Sequence, residues 1–199
     1  MSYASVTPNK ELMAQARDSL RGSWGLAVSA VLVYFVTLFV GSLLPLVGWI
    51  VSSIIGGPMQ LGLVIFSLCL ARRQDPKVAQ VFDGFNRFGA SIGAYVLTAI
   101  FTFLWSLLLI IPGIIAAYSY AMTYYIIAEY SSIGPLAAIK KSKEMMQGNK
   151  WKLFCLSCRF IGWGLLCMLT LGIGFLWLAP YMAVSVAKFY DDLAGNRQP

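Results

Sequence analysis

The sequence predicts an all-α membrane protein: six transmembrane helices as three hairpins, each preceded by a cytoplasmic interfacial amphipathic helix, in a pseudo-threefold repeat. Three observations carry that prediction. Uncharged runs are too long for single crossings, a short polar segment opening on proline precedes each hairpin, and the cations fall only where an even number of crossings returns the chain. Hydrophobic residues make up 59% of the 199 and charged residues 12%, against about 45–50% and about 25% in soluble domains. So much uncharged sequence leaves no room for a separate soluble domain. One polytopic domain over 1–199 is expected, with units near 8–71, 76–130 and 135–190.

The first unit opens at Thr7-Pro8, where proline suits the first position of a helix. Leu12, Met13, Ala16, Ser19 and Leu20 share one face of that helix, with Arg17, Asp18 and Arg21 elsewhere. Gly22 to Ala71 then carries no charge over 50 residues. As one helix this run would measure about 75 Å, against a hydrocarbon core of about 30 Å. It must fold back, and the stretch Gly41 to Gly48 (GSLLPLVG) is where it breaks. The apolar segment is too long for a signal peptide and lacks a small-residue cleavage site, so it is expected to be a retained span.

The second unit opens at Asp75-Pro76, and Val78, Val81, Phe82 and Phe85 follow the i, i+3, i+4, i+7 pattern of an amphipathic helix. Gly89 to Ala128 is uncharged over 40 residues. Pro112-Gly113 divides it into spans of about 22 and about 17 residues, since proline removes a backbone donor and glycine tolerates unusual dihedrals. Gly89 and Gly93 form a GxxxG pair that permits close helix approach. In the third unit, opening at Gly134-Pro135, Ala138, Ile139, Ser142, Met145 and Met146 form an apolar arc opposite Lys140, Lys143, Glu144 and Gln147. The uncharged run Phe160 to Ala187 breaks at Gly172 and Gly174, its first span borrowing residues from Trp151 onward.

All 15 Lys and Arg lie before Gly22, between Arg72 and Arg87, between Lys140 and Arg159, or from Lys188 onward. Six crossings put these four places on one side, which the positive-inside rule makes cytoplasmic, both termini included. Trp24, Phe88 and Trp151 mark the inner boundary; Trp49, Trp105 and Trp177 lie towards the outer one. The net charge of +7 then suits an anionic leaflet and not nucleic acid, making membrane phospholipids the expected partner, beside a second copy or another membrane protein.

Arg159 is the one charge set well inside a predicted span, and it has two readings: a snorkelling side chain, or an anion, lipid-phosphate or helix-packing contact. With Lys150, Trp151, Lys152, Lys140 and Lys143 it forms the candidate lipid or anion set. Tyr118, Tyr120, Tyr124, Tyr125 and Tyr130 extend over about 18 Å of helix, too far for all of them to belong to one interfacial belt. Thr98, Thr102 and Ser106 form an i, i+4, i+8 stripe that could face them. These residues serve either as interhelical hydrogen bonding or as the lining of a cavity, for which Tyr118, Tyr120, Tyr124, Thr98 and Thr102 are the candidates.

Catalytic equipment is sparse. The chain has no histidine, and its eight acidic residues lie at or outside the span boundaries, so no catalytic residue is assigned. Cys155 and Cys158 have CxxC spacing but neither a second pair nor a histidine to complete a metal site, and no disulfide, metal or cofactor is expected.

The stretches LLLIIPGIIAAYSYAMTYYIIAE (Leu107 to Glu129), AAIKKSKEMMQGNKWKLFCL (Ala137 to Leu156), FIGWGLLCMLTLGIGFLWLAPYM (Phe160 to Met182) and AKFYDDL near the C-terminus resemble the bacterial membrane protein family called domain of unknown function 975. The likeness is dense from Leu107 to Leu193. Before that, ELMAQARDSLRGSWGLAV and VFDGF are similar. The resemblance implies a bacterial cytoplasmic membrane and a non-enzymatic role, distantly like six-helix domains that accompany lipid-handling enzymes. It carries over no catalytic or binding residues, and Arg159 departs from the neutral residue usual at its place. Together these readings predict a lipid-interacting scaffold or accessory subunit; the rival is a small transporter or channel component with a path between the repeats.

Overall fold

The computed structural model describes residues 2–43, 48–108, 110–130, 132–170, 172–195 and 197–198. It is all-α apart from a two-residue antiparallel pairing of β1 (Ser2–Tyr3) with β2 (Arg197–Gln198), which joins the chain's ends. In order, α1 (Asn9–Leu20), α2 (Trp24–Ser42) and α3 (Gly48–Ala71) are followed by a 3-10 helix (Val78–Arg87) and α4 (Phe88–Leu108). Then come α5 (Ile110–Tyr120), α6 (Thr123–Glu129), α7 (Pro135–Met145), α8 (Lys150–Leu169) and α9 (Phe175–Gly195). Among the described residues, five stretches are long and apolar enough to cross a membrane: Trp24–Ser42, Ile54–Ala71, Val78–Leu107, Ile111–Glu129 and Lys150–Leu169. They mark a multi-pass membrane protein. The sixth run that the sequence makes a crossing, α9, is not among them, because Lys188, Asp191 and Asp192 fall in its last turns.

The charged ends of the helices meet at one end of the bundle. Arg72, just past α3, binds Asp191 of α9 at 2.7 Å and Glu129 of α6 at 3.3 Å. Tyr190 donates to Glu129, and burial foremost, with the adjacent carboxylate, pushes its phenol above the ordinary range. At this end the second half of α9 is enclosed: Val184, Ala187, Phe189, Tyr190 and Leu193 are buried beside Leu12, Ala16 and Leu20 of α1 and Ala138 and Met145 of α7. Away from the charged end the apolar faces turn outward, as at Phe39, Phe103, Leu107 (78% exposed) and Leu169 (81%). An apolar surface of that extent belongs in hydrocarbon.

The faces predicted for α1 and α7 are the faces they bury, Leu12, Ala16, Ser19 and Leu20 in one and Ala138, Ile139, Ser142 and Met145 in the other. Their burial partners, however, lie within the protein. The stripe of α1 packs chiefly against α9 and that of α7 against α4, α5 and α6, leaving the charged faces outermost.

The segment after Asp75-Pro76 departs from the predicted α-helix. With three residues per turn, Val81 and Gly84 turn inward while Phe82, Phe85 and Phe88 turn out, 46%, 37% and 45% exposed. The cause is a backbone-to-backbone contact with α3. A Cβ at Gly62 would sit 1.7 Å from the Val81 carbonyl oxygen, and one at Gly84 would sit 1.9 Å from that of Pro58. No phenylalanine fits there, so the aromatic face rotates away.

The second fold-back also differs from its predicted place. The chain folds back between α4 and α5, so that Gly113 meets Ser106 and Tyr120 meets Phe101; residue 109 between the two helices lies outside the described residues, and Pro112-Gly113 lies in the first turn of α5, where proline's missing donor costs nothing. Gly113 still has a packing role, since a Cβ there would meet the Ser106 hydroxyl at 2.2 Å. The span is interrupted later, between α5 and α6. There the buried Ser142 of α7 accepts from the Met122 N–H (3.1 Å) and donates to the Ser119 carbonyl (2.8 Å), satisfying both freed groups. The third fold-back matches expectation, with Gly172 at φ +86° between α8 and α9. The middle of the first, residues 44–47, and the Trp49 side chain lie outside the described residues.

Candidate functional site: a cleft among the apolar helices

A cavity of about 830 Å³ opens between α2, α3 and α4, with Tyr124 of α6 at its back. Its walls are apolar where Phe35, Leu38, Phe39 and Ala99 contribute, and its polar atoms are neutral. Tyr34 OH donates to Gln60 Oε1 at 3.1 Å, joining α2 to α3 across the cleft. Thr98 Oγ1 and Tyr124 OH are buried and have no hydrogen-bond partner among the described residues. Leaving a buried hydroxyl unsatisfied costs about 1–3 kcal/mol. These two groups therefore leave unmet hydrogen-bonding capacity within the wall of the cleft.

Local sequence explains the opening. Gly57 brings α3 against α4, where an added Cβ would stand 3.1 Å from the Ser91 carbonyl oxygen and 3.3 Å from Tyr95 Cβ. At Gly56 a Cβ would meet nothing within 4 Å, and this residue lines the cleft. Gln60 and Tyr124 also line a second cavity of about 340 Å³ between α3, α6 and α9, so the two spaces adjoin at these side chains.

Of the cavity residues the sequence proposes, Thr98, Thr102 and Tyr124 come together here. Tyr118 and Tyr120 do not. Tyr118 packs edge-on against Phe154 of α8 (5.9 Å) and Tyr120 against Phe101 (6.2 Å), because successive helical residues point about 100° apart. Tyr34, Gln60 and Tyr95 were missed. Gln60 carried a signal, being the one carboxamide between Gly22 and Ala71.

The proposed lipid or anion contacts scatter over the charged end. Lys140 and Lys143 are exposed, Lys150 is half-buried, and Trp151 is 73% exposed and stacked on Phe154 at 5.2 Å. Lys152 is otherwise engaged: its ammonium donates to the Ser5 carbonyl (2.8 Å) and hydroxyl (2.7 Å) and lies 3.9 Å from Asp192. Asp192 in turn accepts from Ser5 and from Thr7 Oγ1 (2.6 Å), while Asn149 Nδ2 donates to the Tyr3 carbonyl at 2.7 Å. This latch ties the segment before α1 to the start of α8 and the end of α9. Arg159 is exposed on α8 with no ion-pair partner among the described residues.

The family described as "Protein of unknown function (DUF975)" matches residues 1–119 and 106–197. The chain belongs to this family. No curated protein and no solved structure matches the chain. Membership in DUF975 covers both halves of the bundle, including every helix that lines the cleft.

Proposed function

We propose that the protein is a non-enzymatic integral membrane protein that holds a membrane lipid in the cleft between α2, α3 and α4, as a lipid-interacting scaffold or accessory subunit. The observation that carries this reading is the pairing of an apolar wall with two unsatisfied neutral hydroxyls, Thr98 Oγ1 and Tyr124 OH. A ligand with a hydrocarbon body and a neutral ester or hydroxyl group complements both features. The absence of histidine from the sequence and the neutral polar groups of the cleft support a binding role over acid-base chemistry.

In the membrane arrangement that goes with this reading, α9 is a sixth crossing and three units each consist of a short helix followed by a helical pair. The meeting of basic segments at one end supports it, and the positive-inside rule makes that end cytoplasmic, with both termini there, in a bacterial inner membrane. The turn from α8 to α9 at 170–174 and the 21-residue length of α9 are consistent with a returning span.

Gly56→Leu tests the lipid reading, because the added side chain enters the cleft without a clash at Cβ. Purified variant and wild type are compared by native mass spectrometry for retained lipid and by thermal unfolding. Loss of bound lipid at unchanged stability is expected; full retention refutes occupancy of the cleft. A second reading, passage of a small neutral solute, is favoured by the adjoining of two cavities at Gln60 and Tyr124. Solute flux in proteoliposomes that disappears in Gln60→Leu would favour it over static lipid binding.

A further inference from the structure

A second concave feature lies away from the cleft, where α8 and α9 meet the start of α2. Its volume is about 230 Å³, and Arg17, Trp24, Trp163, Cys167, Trp177 and Tyr181 line it. The far end is closed by the turn between the two helices, where a Cβ at Gly174 would sit 2.7 Å from Cys167 Sγ. At the other end stands a guanidinium. Arg17 Cζ lies 5.9 Å from the Tyr181 ring centroid, and that ring is fixed by its hydroxyl donating to the Met13 carbonyl (3.2 Å) and by an edge contact with Phe160 at 5.3 Å.

Arg159 precedes Trp163 by four residues in α8, which puts both on one face with the arginine towards the charged end. No described carboxylate forms an ion pair with Arg17 or Arg159; Asp18, beside Arg17, is paired with Arg21. The furrow thus combines an aromatic floor, about half exposed at Trp163 (53%) and Trp177 (51%), with the Arg17 guanidinium at its head and Arg159 one helical turn from Trp163 along α8.

We propose that this furrow is a binding site for an anionic phospholipid, its phosphate held between Arg17 and Arg159 and one acyl chain lying along Trp163 and Trp177. Charge complementarity selects the headgroup, and the indole floor selects a lipid over a soluble anion. The proposal rests on the reading of the chain as a lipid-handling membrane protein, but its site and its residues are separate from the cleft. Arg159 accordingly acts as a ligand-contacting group and not merely as a snorkelling one.

The test uses the full-length protein in phosphatidylcholine vesicles containing increasing fractions of phosphatidylglycerol with brominated acyl chains, read by tryptophan fluorescence quenching. About 1 kcal/mol for each nearby cation converts to roughly fivefold in affinity per guanidinium. Wild type should therefore show quenching by the brominated anionic lipid in excess of its bulk fraction, with at least a fivefold preference over brominated phosphatidylcholine. Arg17→Gln with Arg159→Gln should reduce that preference to near unity, the double lysine variant should keep most of it, and Trp163→Phe with Trp177→Phe should remove most of the excess quenching. Both arginines are exposed, so circular dichroism of the glutamine variant should match wild type. A wild type without headgroup preference, a preference that survives the glutamine substitutions, or quenching below the bulk level because a second copy covers the furrow would overturn the proposal. Gly56→Leu should leave the preference intact, which separates failure here from failure of the cleft.

Discussion

Gly62→Ala isolates the contact that sets the form of the segment between α3 and α4. The new methyl would lie 1.7 Å from the Val81 carbonyl oxygen, so the 3-10 backbone must withdraw by about 1.5 Å to reach an ordinary separation. Val81 is fully buried, and losing the burial of a valine side chain costs about 1.5–3 kcal/mol. Forcing packed backbone apart adds about 1–3 kcal/mol, while replacing a helical glycine by alanine restores about 1 kcal/mol. The net expectation is a destabilisation of about 3 kcal/mol, or about 6–12 °C in the unfolding midpoint for a chain of this size. The midpoint can be read in detergent from the reaction of Cys69, Cys155 and Cys167, all partly buried, with a thiol-reactive fluorophore. Gly25→Ala is the control, since its Cβ meets nothing within 4 Å, and its midpoint should be unchanged or slightly raised. If Gly62→Ala melts within about 2 °C of wild type, the backbone contact does not hold the 3-10 helix in place and the reasoning fails.

Gly93→Ala should destabilise more than Gly89→Ala in the same assay, because a Cβ at Gly93 would meet Pro135 Cγ at 2.8 Å whereas Gly89 faces open space; equal midpoints would contradict this. Arg87→Met should lower stability by about 1.5–3 kcal/mol, since its guanidinium donates to the terminal carbonyls of α6 at Ile127 and Ala128 (3.1 Å), and deuterium exchange should rise first in α6. Burial opposes ionisation of Asp192, but hydrogen bonds from Ser5 and Thr7, with the Lys152 ammonium nearby, outweigh it and hold its pKa below the ordinary 3.8. Its stabilising contribution is therefore complete above about pH 4 and lost as pH falls through the lower folded-state value. Asp192→Asn should cost about 1–3 kcal/mol at pH 7, and the gap from wild type should narrow in melts below pH 4. Ser142→Ala should cost about 1–3 kcal/mol by orphaning the Met122 N–H and the Ser119 carbonyl, an effect absent in Ser29→Ala, whose exposed hydroxyl bonds only within its own helix.

How far the sequence reaches differs from element to element. The inward faces of α1 and α7 follow from 3.6-residue periodicity, which holds whether the apolar stripe meets lipid or protein; periodicity cannot say which. In both helices it meets protein. The same reasoning fails for the segment 78–87, where two glycines admit backbone contact and turn Phe82 and Phe85 outward. The Thr98 and Thr102 stripe is legible as neighbours four apart on one helix, yet its companions Tyr34 and Gln60 come from helices that no local pattern brings together.

What the sequence alone determines is what transfer from water to hydrocarbon dictates along a chain: long uncharged runs become apolar helices, and charges stay at their ends. Helix rise and breaker residues then fix approximately where those runs divide. The tertiary structure decides which side chains from separate helices share a cavity, which polar groups remain unsatisfied within it, and whether a short helix winds in threes or as α. Those outcomes depend on how closely backbones approach one another, through contacts such as Gly62 with Val81 and Gly57 with Ser91, and that distance is a property of packing in three dimensions.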